Sequence, residues 1–241
     1  MNSRRFAAHP SDHRFFSTMA VLSAVTILVG FASTYGPKVL GGAPALPAII
    51  HLHAVVFTAW LVVFVTQTTL ILTKRTAIHR RLGVAAVGLA ALMLGLGAQT
   101  AITVARLGHR GIPGLEFPEP EGFLLLNLAA IGVFAVLFAA GFFFRRDAQA
   151  HKRLMLMALL GGLLGPGVSR LPGISGRLPL IAGVTLAFLF AVPAYDLWTR
   201  RRVHWASMAG VVLALATVPP VVAQVAATGA WHTLAAWLLT P

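Results

Sequence analysis

Long apolar runs alternate along this chain with short basic clusters, and the runs have the length of a lipid bilayer. Residues 48–73 contain no Asp, Glu, Lys or Arg. In helical form about 20 mostly apolar residues cover a hydrocarbon core of ~30 Å, so this run predicts one membrane-crossing helix. Six further runs read the same way. The seven spans fall at about 15–36, 48–73, 82–106, 122–144, 152–171, 178–198 and 205–226. The stretch 231–239 is too short to cross and is expected to lie along the interface. The first run follows Arg4, Arg5 and Arg14. It exceeds a signal-peptide core and reads as an uncleaved helix. The predicted fold is all-α, a single domain over 1–241 forming an integral membrane bundle of seven transmembrane helices.

Composition agrees with the pattern. The chain is 58% hydrophobic and 10% charged, against roughly 25% charged in a soluble domain. A net charge of +13 raises the question of nucleic acid. The cations sit in short clusters between apolar spans and form no single patch, so no nucleic-acid partner is expected. The bilayer is the expected partner. Of the 19 Lys and Arg, 14 fall on the side of the N-terminus and of the loops after spans two, four and six, and 5 on the other. By the positive-inside rule the N-terminus is inside and the C-terminus outside, in a multi-pass protein of a bacterial-type inner membrane. The absence of cysteine excludes disulfides, thiolate metal sites, iron–sulfur clusters and cysteine nucleophiles.

Some local features qualify this outline. The loop H-R-G-I-P-G-L-E-F-P-E-P-E-G holds Glu116, Glu119 and Glu121, and its prolines and glycines argue against a regular element. It reads as a solvated loop or as a lid over an outer site. Gly161, Gly162, Gly165, Pro166 and Gly167 interrupt the fifth span. Pro166 should kink it, and Gly161 with Gly165 has the spacing that lets two membrane helices approach closely. A broken helix lining a cavity is the other reading. Pro219 and Pro220 should bend the seventh span.

The candidate chemistry lies in the histidines. His79, His151 and His204 stand at or near the inner starts of spans three, five and seven, and His51, His53, His109 and His232 lie on the outer side. Two of the inner three could be axial ligands of a haem b between helices. Alternatively all three could bind a divalent metal with an open position. Plain anchoring of His-Arg and His-Lys pairs to lipid headgroups accounts for the same placement. Asp147, four residues before His151, could cap the helix or orient the imidazole. Asp196 is the one acid placed within a predicted span. It needs a partner there, and Arg200 or an inner histidine is expected.

His51 and His53 are candidates for an outer metal site. On a helix they diverge by roughly 160°, so sharing an ion requires extended backbone after Pro47. His53, Trp60 and Gln67 recur every seven residues and share one face with Phe57 and Phe64. That stripe reads either as a packing seam or as the wall of a quinone, haem or small-ligand pocket. A retinal-type lysine is absent from span seven, and the chain has no G-x-S-x-G, H-E-x-x-H or phosphate-binding glycine loop.

The pattern H-L-H-x6-W-x6-Q, H-R-R-L-G, H-K-R-L-M and Y-D-L-x3-R-R-x-H resembles a group of uncharacterised bacterial polytopic inner-membrane proteins. The H-K-R-L-M-L piece alone is similar to a segment of small membrane proteins linked to cytochrome oxidase maturation and haem handling. That second resemblance implies haem at His79 and His151 and respiratory-chain components as partners.

The leading expectation is thus a membrane protein that binds haem b or a metal through His79, His151 or His204, with Asp147 and Asp196 orienting, in electron transfer or respiratory-complex assembly. The alternative is a cofactor-free carrier or assembly partner with structural histidines. An enzyme built on the outer histidines and the glutamate loop is a third reading. A homo-oligomer is compatible with any of them.

Overall fold

The computed structural model describes residues 8–41 and 46–240, and these are almost wholly helical. Arg4 and Arg5 of the N-terminal basic cluster lie outside the described residues. The helices are α1 (Asp12–Leu40), α2 (Ala48–Leu72), α3 (Thr76–Arg106), α4 (Pro120–Phe143), α5 (Ala148–Leu159), α6 (Gly165–Val168), α7 (Leu178–Arg200), α8 (Trp205–Leu215), α9 (Pro219–Ala226) and α10 (Gly229–Leu239). A π-helical segment, Leu160–Leu164, joins α5 to α6 without a break. Five helices, α1, α2, α3, α4 and α7, are long and apolar enough to cross a membrane, and α8 with α9 makes a sixth if the pair is one span. This is the build of a multi-pass membrane protein.

The stretch 148–168 is the centre of the bundle. Leu154, Leu156, Met157, Leu159, Leu160, Leu164 and Val168 are all but inaccessible, because α1, α4, α7 and α8 pack around them. The π segment has a local cause. Pro166 has no N–H to offer the Gly162 carbonyl four residues back, and a lost bond of that kind is where helices widen or kink. The expected close approach holds at Gly161 and not at Gly165. A Cβ on Gly161 would stand 3.1 Å from Ala214 of α8 and from Val133 of α4, and one on Gly165 would meet nothing within 4 Å. The approach to α1 runs through Gly167, where a Cβ would stand 2.7 Å from the Ile27 Cα, and, on α1, through Gly30.

The seventh predicted span is broken. Val218, which precedes Pro219, is extended with ψ 147°, as a residue before proline prefers. The helices on either side are bent by 52°. The bend at Pro219 is as expected, whereas the glutamate loop departs from expectation, since it forms a hairpin of two-residue strands, β1 (Gly111–Ile112) against β2 (Leu115–Glu116). The prolines and glycines that argued against regular structure build its turn. Pro113 and Gly114, the latter at φ +79°, occupy the central positions where a type II turn favours proline and then glycine.

Candidate functional site

The polar side chains of the bundle concentrate where α1, α3, α5 and α8 begin and α2, α4 and α7 end. Two carboxylates organise this end. Asp196 on α7 accepts from Arg153 Nε at 3.1 and 3.0 Å on its two oxygens and pairs with Arg153 Nη2. Ser207 Oγ donates to it at 2.6 Å and the His204 backbone N–H at 3.2 Å. Arg153 and Asp196 side chains are both fully buried. The expected partner Arg200 stands only at the edge of contact, 4.0 Å from Asp196. Arg200 belongs instead to Asp12, 2.6 Å away, which also takes Lys152 at 2.5 Å and the Tyr195 hydroxyl at 2.9 Å. Sequence reading passed over Asp12, Lys152, Arg153 and Tyr195. Their one visible signal was an acid, Asp12, opening an apolar run.

The three histidines at this end divide. His204 is the N-cap of α8: its Nδ1 accepts from the Ala206 N–H at 3.1 Å, so that nitrogen is occupied by the backbone. Burial, then the Arg153 guanidinium, hold its pKa down at about 4, which keeps the ring neutral and the cap intact. His79 and His151 face one another between α3 and α5, ring centroids 6.1 Å apart and planes at 83°. His151 Nδ1 lies 2.8 Å from the Gly141 carbonyl of α4. A carbonyl only accepts, so this nitrogen carries the hydrogen and Nε2 keeps its lone pair. Asp147 does not orient His151. Its carboxylate caps α5, accepting from the Gln149 and Ala150 N–H groups. Among the described residues no three of His, Asp or Glu stand close enough to hold one metal ion. The arrangement of His79, His151 and His204 on a single divalent ion is therefore not formed, and the first two remain as a pair.

The α2 stripe leads to this pair. His53 stacks on Phe57 at 3.9 Å, and Trp60 sits edge-on to Phe134 and Phe138 of α4. Gln67 lies against Gly83 of α3, one turn beyond His79. His53 Nδ1, Trp60 Nε1, Gln67 Oε1 and His79 Nδ1 are buried without a hydrogen-bond partner among the described residues, as are Thr100 Oγ1 and Thr185 Oγ1. Buried polar atoms are nearly always satisfied, so four orphans along one seam ending at the histidine pair mark where a ligand or ordered water belongs.

The histidines at the opposite end form no common site. Because α2 is helical from Ala48, His51 and His53 point away from each other, and a shared outer metal ion is not formed. His51 Nδ1 is 2.6 Å from the Tyr35 hydroxyl of α1. His232 of α10 pairs with Glu121 at 2.5 Å, and the Trp231 indole donates to the Glu121 carbonyl at 3.1 Å. Glu121, in the first turn of α4, thus clamps α10. No family model, curated protein or solved structure matches this chain.

Proposed function

We propose that this is an inner-membrane protein of seven spans, N-terminus inside and C-terminus outside, whose His79–His151 pair ligates a haem b iron or a single metal ion. Its role would be electron transfer or respiratory-complex assembly. In this reading the fifth span is α5 with the π segment and α6, and the seventh is the bent pair α8–α9. The observation that carries the proposal is the pairing itself: two imidazoles from different helices at 6.1 Å, one with its tautomer set by Gly141. His79 and His151 would hold the group through their ring nitrogens, imidazole being a common ligand of haem iron and of divalent metals. Nδ1–H donated to a backbone carbonyl is how ligating histidines are usually oriented. The orphaned His79 Nδ1 and Gln67 Oε1 fit a site whose missing partner is the bound group. When bound, a haem iron or a copper ion would supply one-electron chemistry, whereas a zinc ion would not. The chain supplies the two ligands, the carbonyl that orients one of them and the aromatic wall of Trp60, Phe134 and Phe138.

The test is an absorbance spectrum of detergent-purified protein, oxidised and after dithionite, with elemental analysis of the same sample. A Soret band with sharpened reduced bands is expected in wild type and lost in His79→Ala and His151→Ala. Stoichiometric copper or zinc without a Soret band selects the metal form. A featureless, metal-free spectrum from folded protein made with ample haem and metals overturns the proposal in favour of a cofactor-free carrier or assembly partner.

A further inference from the structure

The outward side of α7 carries a shallow groove of about 450 Å³ lined by Ala194, Leu197, Trp198 and Arg201. Its floor is apolar. Trp198 stands 77% exposed on the last turn of the helix, beside the Arg200–Arg202 run. Tryptophan at a helix end next to cations is what a membrane–water boundary selects.

Arg201 occupies an unfavourable backbone position. It caps α7 in the left-handed conformation, φ +56° and ψ 19°, with its N–H on the Leu197 carbonyl at 2.9 Å. Glycine or asparagine is the usual residue there, and a side chain with a Cβ costs stability. Among the described residues one other non-glycine has positive φ, Lys74, which follows α2 at the same end of the bundle. Both positions that favour glycine thus hold a cation. Arg153 and Arg200 are consumed by Asp196 and Asp12, whereas the Arg201 guanidinium has no carboxylate within ion-pair distance among the described residues. Asp12 and Asp196 are buried inside their ion pairs and the exposed Asp147 caps α5, so none of the three acids of this end neutralises Arg201 at ion-pair distance.

We infer that this groove is a binding site for one anionic phospholipid, its phosphate on Arg201 and an acyl chain along Ala194 and Leu197 beside Trp198. An unpaired cation at the mouth of an apolar groove complements a headgroup of net negative charge. A zwitterionic lipid carries the same phosphate together with its own cation and is held less well. The inference rests on the membrane architecture and is independent of any group at His79 and His151.

The test compares wild type with Arg201→Gly in nanodiscs of phosphatidylcholine alone and of phosphatidylcholine with an equal part of phosphatidylglycerol. Wild type is expected to unfold at higher temperature when phosphatidylglycerol is present, and to retain that lipid in native mass spectra. Arg201→Gly should start higher in phosphatidylcholine, because glycine accepts the left-handed cap, and should lose most of the phosphatidylglycerol increment. Arg146→Gln removes an exposed cation of the same end away from the groove and should keep the increment. If Arg201→Gly keeps the wild-type increment, if Arg146→Gln loses as much, or if wild type does not distinguish the two lipids, the site is overturned.

Discussion

Arg153 and Asp196, 43 residues apart in the chain, meet on both carboxylate oxygens with neither side chain exposed. The pair ties the central stave of the bundle to α7, and Ser207 with the His204 N–H brings in the start of α8. Removing one partner leaves an uncompensated buried charge, which costs about 3–5 kcal/mol. Arg153→Met and Asp196→Leu should each lower the unfolding midpoint in detergent strongly. The double variant should recover most of the loss, since no lone charge remains.

The Asp12 cluster makes a graded case. Tyr195→Phe loses the hydroxyl bonds to Asp12 and Ser11 but keeps the ring stacked on Phe15 at 3.9 Å. Its expected cost is about 1.5–3 kcal/mol, because one of the two bonds is to an ionised carboxylate. Asp12→Asn strips the counter-charge from Lys152 and Arg200 together and should cost more. Thermal unfolding of the two variants side by side checks the order, and equal losses would refute it.

At the crossing of α1 with α6 a methyl group has no room. A Cβ on Gly30 would lie 2.0 Å from the Gly167 carbonyl oxygen, whereas Gly165 has open space. Gly30→Ala should separate the two helices and abolish monodisperse extraction. Gly165→Ala should be tolerated, or stabilise by up to about 1 kcal/mol through helix propensity. Size-exclusion profiles of the two variants distinguish these outcomes.

These contacts show how far the sequence could be read. The uncharged run 48–73 fixed α2 to within a residue of its end, because bilayer thickness acts on each helix separately. Pro166 and its glycines announced irregularity but not its partner, since whether Gly165 or Gly167 meets α1 depends on a rotation that the π segment sets. Arg153 was counted among the loop cations that set orientation, because it stands where the fifth span begins. It is buried because α5 alone is enclosed on all sides, a property of the assembly. Asp196 was matched to Arg200 by i,i+4 spacing or to a histidine of the same end, while its nearer cation, Arg153, comes from another helix. The His79–His151 pair was legible as residue types at like positions, and the Gly141 carbonyl that orients one ring was not, because backbone acceptors leave no trace in side-chain patterns.

His204 gives a pH dependence whose sign is fixed by its cap. The neutral ring accepts from the Ala206 N–H, and burial with the Arg153 guanidinium depresses its pKa to about 4 from 6.5, against the opposing pull of Asp196 and Asp147. Between those values the unfolded chain takes up a proton that the native ring refuses, so stability present above pH 6.5 is lost as pH falls toward 4. The slope from this one group approaches roughly 1.4 kcal/mol per pH unit within the window. His204→Asn keeps a side-chain oxygen for the cap and removes the titration. Unfolding midpoints in detergent from pH 7.5 to 4.5 should fall more steeply for wild type than for His204→Asn. Parallel curves would mean that His204 is not the neutral cap described here.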